Sequence, residues 1–220
     1  MSQIYQIQKR KGLFNFNINL LLIIINVVCF ILFSILIYVN PTFLDYIALK
    51  PSNIISNFYI WTFLTSMFMH AGFFHLFVNM FSLLFVGNLV ERIIGKKRFV
   101  SFYLLAGLFA GILFVLVSLF FPSDFNTYAV GASGAIFGII GLLMILTPNL
   151  PVYMMFIPIP IKMKYAAPAM LVLLWLVSAF GNVPVGNTAH LGGFIIGLAY
   201  GIYLRGKYKR KTKYISKMFS

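Results

Sequence analysis

An all-α membrane protein, with six transmembrane helices in one bundle, is the fold class this sequence predicts, and three observations predict it. Of its 220 residues, 61% are hydrophobic and only 9% are charged, a balance far outside that of soluble globular domains. The apolar residues gather into six runs, the unit in which a hydrocarbon core about 30 Å thick is crossed by helices. The positive charges fall almost entirely on one side of a six-span arrangement.

Span one is expected at Ile18 to Val39, too long and too poorly followed by a small-residue cleavage site for a signal peptide, and so a retained helix. Span two covers Phe74 to Val90 and span three Phe99 to Phe121. Span four begins at Ser133 and stops at Leu146, short and just ahead of Pro148. Span five runs from Tyr165 to Phe180 and span six from Ala189 to Leu204. The stretch from Asn40 to Phe73 holds Pro41, Pro51 and Trp61 and reads as a loop that partly enters the interface, with Tyr59 and Trp61 suited to the headgroup layer. The expected layout is therefore a cytoplasmic N-terminal segment over 1–16, a six-span domain over 17–205 and a basic cytoplasmic tail over 206–220.

The formal charge of +14 is distributed by topology. Lys9, Arg10 and Lys11 precede span one; Arg92, Lys96, Lys97 and Arg98 lie between spans two and three; Lys162 and Lys164 lie between four and five. Arg205, Lys207, Lys209, Arg210, Lys211, Lys213 and Lys217 follow span six, so only Lys50 stands opposite. Positive residues stay inside, which puts both termini in the cytoplasm of a multi-pass cell-membrane protein. The tail is also suited to contact with anionic lipid. Nucleic acid is not an expected partner, because no reading module accompanies the charge. Cys29 is the single cysteine, which excludes an intrachain disulfide framework and a cysteine-built metal site.

Spans two, four and six run from the outside inward, so their first residues share a depth. His75 and Asn79 open span two, Ser133 opens span four and His190 opens span six. Ionisable groups at that depth are costly and belong in a bundle interior or a wet cavity. His75 and Asn79, four apart, project from one helical face. His190, Gly193, Gly197 and Gly201 share another face, and Gly134, Gly138 and Gly141 form a second glycine stripe on span four. Small-residue stripes let helices approach closely. If the two stripes meet, Ser133 comes near His190. A serine in such a segment is most often a packing residue, so spacing alone leaves packing and nucleophilic chemistry both open. His70, five residues before His75, is expected to point elsewhere, at the loop edge.

Other intramembrane chemistries fit less well. A metalloprotease helix needs His-Glu-x-x-His, and the single Glu, Glu91, is remote from a histidine pair. An aspartyl mechanism needs two carboxylates in one site, whereas Asp45 and Asp124 fall in outer loops. With no acid in the spans to orient His190, a nucleophilic Ser133 would work in a dyad.

The chain resembles the rhomboid intramembrane serine proteases of the six-span bacterial type. The likeness rests on "GASG" at Gly131 to Gly134, "AHLGGFIIG" at Ala189 to Gly197, the His75-Leu-Phe-Val-Asn79 segment and "GNLVERIIG" from Gly87 to Gly95. It implies a rhomboid-like bundle in which Ser133 is the nucleophile and His190 the general base and acid. His75, Asn79 and the Ser133 amide would bind the oxyanion, and Gly131 and Gly134 would let the substrate backbone approach. Glu91 would be structural. The short fourth span would set the serine at the bottom of a cavity that water can reach.

Two departures from the family pattern stand out. Trp61-Thr62 replaces the usual Trp-Arg, and Phe137 replaces a Tyr that often stacks beneath the catalytic His. The implied substrates are single-span membrane proteins cut near the outer face, with no metal, nucleotide or other cofactor. The alternative is a non-catalytic rhomboid-like protein that binds or escorts membrane helices.

Overall fold

The computed structural model describes residues 17–154, 158–181 and 186–218. The expected segment 1–16, with Lys9, Arg10 and Lys11, lies outside the described residues. Helix α1 spans Ile18–Val39; short helices α2 (Phe43–Ile47), α3 (Pro51–Asn57) and α4 (Thr62–Thr65) follow; α5 (Phe73–Ser82) and α6 (Asn88–Ile94) are joined through a π turn at Leu83–Gly87. Then come α7 (Lys96–Ser118), α8 (Pro122–Phe125), α9 (Ser133–Leu146), α10 (Met163–Gly181), α11 (Asn187–Lys207) and α12 (Lys209–Lys217). Among the described residues, four stretches are long and apolar enough to cross a membrane: Ile18–Val39, Phe73–Ile94, Lys96–Ser118 and Met163–Gly181. Helix α9 is shorter, and α11 carries a polar first turn and a row of glycines. The chain is an all-α integral membrane protein.

Helix α9 forms the axis of the bundle. Eleven of its 14 residues are buried, whereas only Asn19, Leu22 and Asn26 of the 22 in α1 are. Two helices, α11 and α7, close on this axis through small residues. A Cβ on Gly193 would strike the carbonyl of Gly134, and one on Gly197 the carbonyl of Gly138. From the other side, Ala110 and Ala106 of α7 lie against Gly134 and Gly138, their Cβ atoms 2.7 and 2.6 Å from where those glycines would carry one. The two glycine stripes thus meet, except that Gly201 packs on Ile145. Without water to drive helices together, close backbone contact of this kind supplies the packing energy.

Span two is tied to α1 at the other end. Glu91 accepts from the backbone amides of Ile18 (3.2 Å) and Asn19 (2.8 Å), two of the amides that the first turn of a helix leaves unpaired. Its charge also complements the positive end of the α1 dipole. The buried Asn19 amide donates to the Leu83 carbonyl in the π turn at 2.8 Å and to Asn88 at 3.1 Å. Gly87 lets that side chain lie against the turn. Gly95, at φ +86°, reverses the chain between α6 and α7 in a single residue, a conformation open to glycine at little cost.

Several boundaries differ from expectation. Span two extends from Phe73 to Ile94, and α7 starts at Lys96, because long basic side chains reach the interface without ending a helix. Helix α7 ends at Ser118 rather than Phe121, which is extended ahead of Pro122, as a residue before proline prefers to be. The Asn40 to Phe73 loop contains α2, α3, α4 and a 3-10 turn at Ser66–Phe68. The basic tail holds α12, and strands β1 (Pro151–Tyr153) and β2 (Pro160–Lys162) pair antiparallel ahead of α10.

Candidate active site

Ser133 is the first residue of α9, so its backbone N–H faces out of the helix without an intrahelical partner. The chain reaches it through Gly131, whose φ of +114° is a left-handed value. The approach is pinned twice: Ala129 and Leu49 exchange backbone hydrogen bonds of 2.8 and 3.2 Å, and the Gly131 amide donates to the Ser66 carbonyl at 2.9 Å.

His190 sits in the first turn of α11, buried at 7% exposure. The glycine seam between α9 and α11 brings its Nε2 to 2.7 Å from the Ser133 Oγ. Its ring stacks on Phe137, one turn below Ser133, with centroids 4.7 Å apart and planes 28° from parallel. The His190 Nδ1 has no hydrogen-bond partner among the described residues. In a neutral ring whose Nε2 accepts the serine hydroxyl, Nδ1 carries the proton.

His75 and Asn79 reach the same place from α5. The space a Cβ on Gly131 would need is taken by the His75 ring, with Cε1 and Nε2 each 2.8 Å away, and by the Asn79 amide nitrogen at 3.8 Å. Glycine is therefore required at 131 by its φ and by its neighbours. His75 Nδ1 accepts from the Ala71 amide at 3.4 Å, which leaves the proton of a neutral ring on Nε2, the nitrogen beside Gly131. Asn79 donates one amide hydrogen to the His75 carbonyl at 2.8 Å and keeps a second.

His70 corrects the sequence expectation. It is buried at 4% exposure and its ring meets His75 edge-on, with centroids 5.2 Å apart. Helical spacing misplaced it because α5 begins only at Phe73. Burial, then the neighbouring His75, hold its pKa down to about 4, so it is neutral at ordinary pH.

The loop above the site is anchored without the Arg of the usual pattern. Tyr59 stacks between Tyr46 and Trp61, at 5.0 and 4.9 Å, and the Trp61 indole donates to the Tyr46 carbonyl at 2.9 Å. Thr62 is fully buried and donates to the Tyr59 carbonyl at 2.6 Å. The Tyr128 hydroxyl and the Asn53 amide both donate to Asp45, at 2.7 and 2.8 Å, and Lys50 lies 3.7 Å away. These donors hold the Asp45 carboxyl below its usual range, while burial and Asp45 push the Tyr128 phenol up to about 12.

Two other features escaped sequence reasoning. The Ala106 and Ala110 pair of α7 completes the packing around α9, and its four-residue spacing was a readable signal. The Ser66 carbonyl holds Gly131, and nothing in the sequence announced it. Among the described residues, no group of three or more His, Cys, Asp or Glu side chains gathers as metal ligands would.

A hydroxyl bonded to an imidazole, beside two side-chain donors and a helix N-terminus, is a constellation suited to acyl transfer. The family model described as Rhomboid domain matches residues 57–207. RHOMBOID-like protein 1 of Arabidopsis thaliana is 37% identical over 159 residues, 70% of this chain and 37% of that protein. Rhomboid protease GluP of Bacillus subtilis (strain 168) is 33% identical over 149 residues, 67% of this chain and 27% of that one. A third relative, Inactive RHOMBOID-like protein 8 of Arabidopsis thaliana, is 34% identical over 142 residues, 63% of this chain and 36% of that protein. The matched stretch spans well under half the length of each of these relatives. Because the matching region covers more than half of the chain and takes in the glycine-packed helices together with His75, Asn79, Ser133 and His190, the chain belongs to the rhomboid family.

Proposed function

We propose that the chain is an intramembrane serine endopeptidase that cuts single-span membrane proteins near the outer membrane face with a Ser133–His190 dyad. The observation that carries this reading is the 2.7 Å contact between Ser133 Oγ and His190 Nε2. In the reaction, Ser133 Oγ attacks the scissile carbonyl as His190 Nε2 takes its proton. The charge on the carbonyl oxygen is met by the Ser133 N–H, the His75 Nε2–H and the second Asn79 hydrogen. His190 then returns the proton to the leaving amine, and water, activated by the same imidazole, releases the acyl enzyme. The substrate helix must unwind locally, since a helical peptide bond is hydrogen-bonded and shielded. The proposed setting is the cell membrane, with six spans and both termini cytoplasmic, supported by the one-sided placement of Lys and Arg.

The test is cleavage of a model single-span substrate by the purified full chain in detergent, beside Ser133→Ala and His190→Ala, followed by gel and mass spectrometry. Either substitution is expected to lower kcat by about 10³-fold or more. Cleavage that survives in Ser133→Ala would sink the mechanism. Similarity to a relative named inactive favours one second reading, a protein that binds membrane helices without cutting them. Labelling of wild type, but not of Ser133→Ala, by a fluorophosphonate would rule against it.

A further inference from the structure

Outside the site, α7 and α11 enclose a groove of about 550 Å³ on the lipid-facing side of the bundle. Its wall on α7 is the stripe Phe102, Leu105, Phe109 and Ile112, met by Ile196 and Tyr200 of α11. At one end it opens onto Lys97 and Arg98. From Arg98 to Ile112 is about 21 Å along the helix at 1.5 Å per residue, enough for one leaflet of a hydrocarbon core about 30 Å thick.

The basic end is held in place by tyrosines. Arg98 donates to the Tyr208 hydroxyl at 2.8 Å and lies 5.1 Å from its ring centre. Lys207 donates to the Tyr203 hydroxyl at 2.8 Å. Tyr200 is stacked between Phe102 (4.8 Å) and Tyr203 (6.1 Å). Among the described residues, no acid answers these cations. The chain has three acidic residues, Asp45, Glu91 and Asp124. Asp45 is paired with Lys50, Glu91 is occupied by the first amides of α1, and Asp124 lies in α8, beyond the far end of α7.

We infer that this groove is a binding site for one anionic glycerophospholipid, an acyl chain lying along the α7 stripe and the phosphodiester seated on Lys97 and Arg98. Any lipid tail can fill a lipid-facing groove. Selectivity for negative charge comes from the uncompensated cations at its mouth, the arrangement by which basic pockets between membrane helices hold anionic headgroups.

Native mass spectrometry of the full chain, titrated in detergent with dioleoyl-phosphatidylglycerol or dioleoyl-phosphatidylcholine, tests this. Phosphatidylglycerol is expected to be retained at one copy and to outcompete phosphatidylcholine. Lys97→Ala with Arg98→Ala should weaken its retention roughly five- to twentyfold. Lys162→Ala with Lys164→Ala, which removes the same charge elsewhere, should change it less than about twofold. Leu105→Trp, at an exposed wall position, should displace the lipid by filling the groove. Lys97→Gln alone carries the test if the double variant does not fold. Equal retention of the two lipids, equal losses in the two double variants, equal binding of glycerol phosphate, or a dimer that Leu105→Trp dissolves would each overturn the inference.

Discussion

Phe137 lies flat beneath His190, its ring centre 4.7 Å from the imidazole and 28° from parallel, so the imidazole is held on its face by an apolar ring and at its Nε2 edge by Ser133. Phe137→Leu keeps most of the volume and loses that face. A stacked aromatic pair contributes about 0.5–1.5 kcal/mol. The variant should therefore lose roughly two- to tenfold in kcat, with KM nearly unchanged, as steady-state cleavage assays will read.

His75 and Asn79 border Gly131 in the structure. If they bind the oxyanion, Asn79→Ala and His75→Ala should each lower kcat by about 10² to 10³ with little change in KM. A kcat within a few-fold of wild type for both would remove them from the mechanism.

Gly197 and Gly206 share α11 but not surroundings. A Cβ at 197 meets the Gly138 carbonyl and, at 3.0 Å, the Leu142 nitrogen, whereas a Cβ at 206 meets nothing within 4 Å. Gly197→Ala forces two backbones apart, at a cost of about 1–3 kcal/mol, and should lower the apparent Tm in detergent. Gly206→Ala should leave it unchanged or raised, since alanine favours helix by about 0.5–1 kcal/mol.

Glu91 acts at a distance from Ser133. Removing its carboxylate in Glu91→Ala leaves the Ile18 and Asn19 amides without that acceptor, a loss of about 1–3 kcal/mol. Thermal stability should fall while kcat per folded molecule stays at the wild-type value.

The Asp45 cluster gives a pH signature. Tyr128 first, then Asn53, hold its carboxyl below the ordinary value of 3.8. A depressed pKa contributes stability above the unfolded value and loses it as pH falls through the folded one. Wild type should thus exceed Asp45→Asn in apparent Tm by a constant margin from neutral pH down to the ordinary carboxylate range, and the margin should shrink only below it.

Much of this was legible before the structure, for identifiable reasons. The bounds of α1 and α9 match expectation residue for residue, because Asn17 and Asn40 bracket a mainly apolar run in the first, and the Gly-Ala-Ser start and Pro148 frame the second. The meeting of Ser133 with His190 followed from two glycine stripes, a pattern with a steric meaning. His70 and the Ser66 carbonyl were not legible, since both lie in chain without α-helical period, where position is set by tertiary contacts. The short helices between Asn40 and Phe73 were hidden for the same reason. Each is shorter than the window in which periodicity can be seen.

The π turn at Leu83–Gly87 makes span two a helix with a phase break. A π turn is in effect one inserted residue, and one residue is about 100° of rotation. The half before the turn can therefore aim His75 and Asn79 at Ser133 while the half after it aims Glu91 at α1. Deleting a single residue there would realign the two halves and swing one of them off its target, so span length alone does not define a working protein of this architecture; its angular register does.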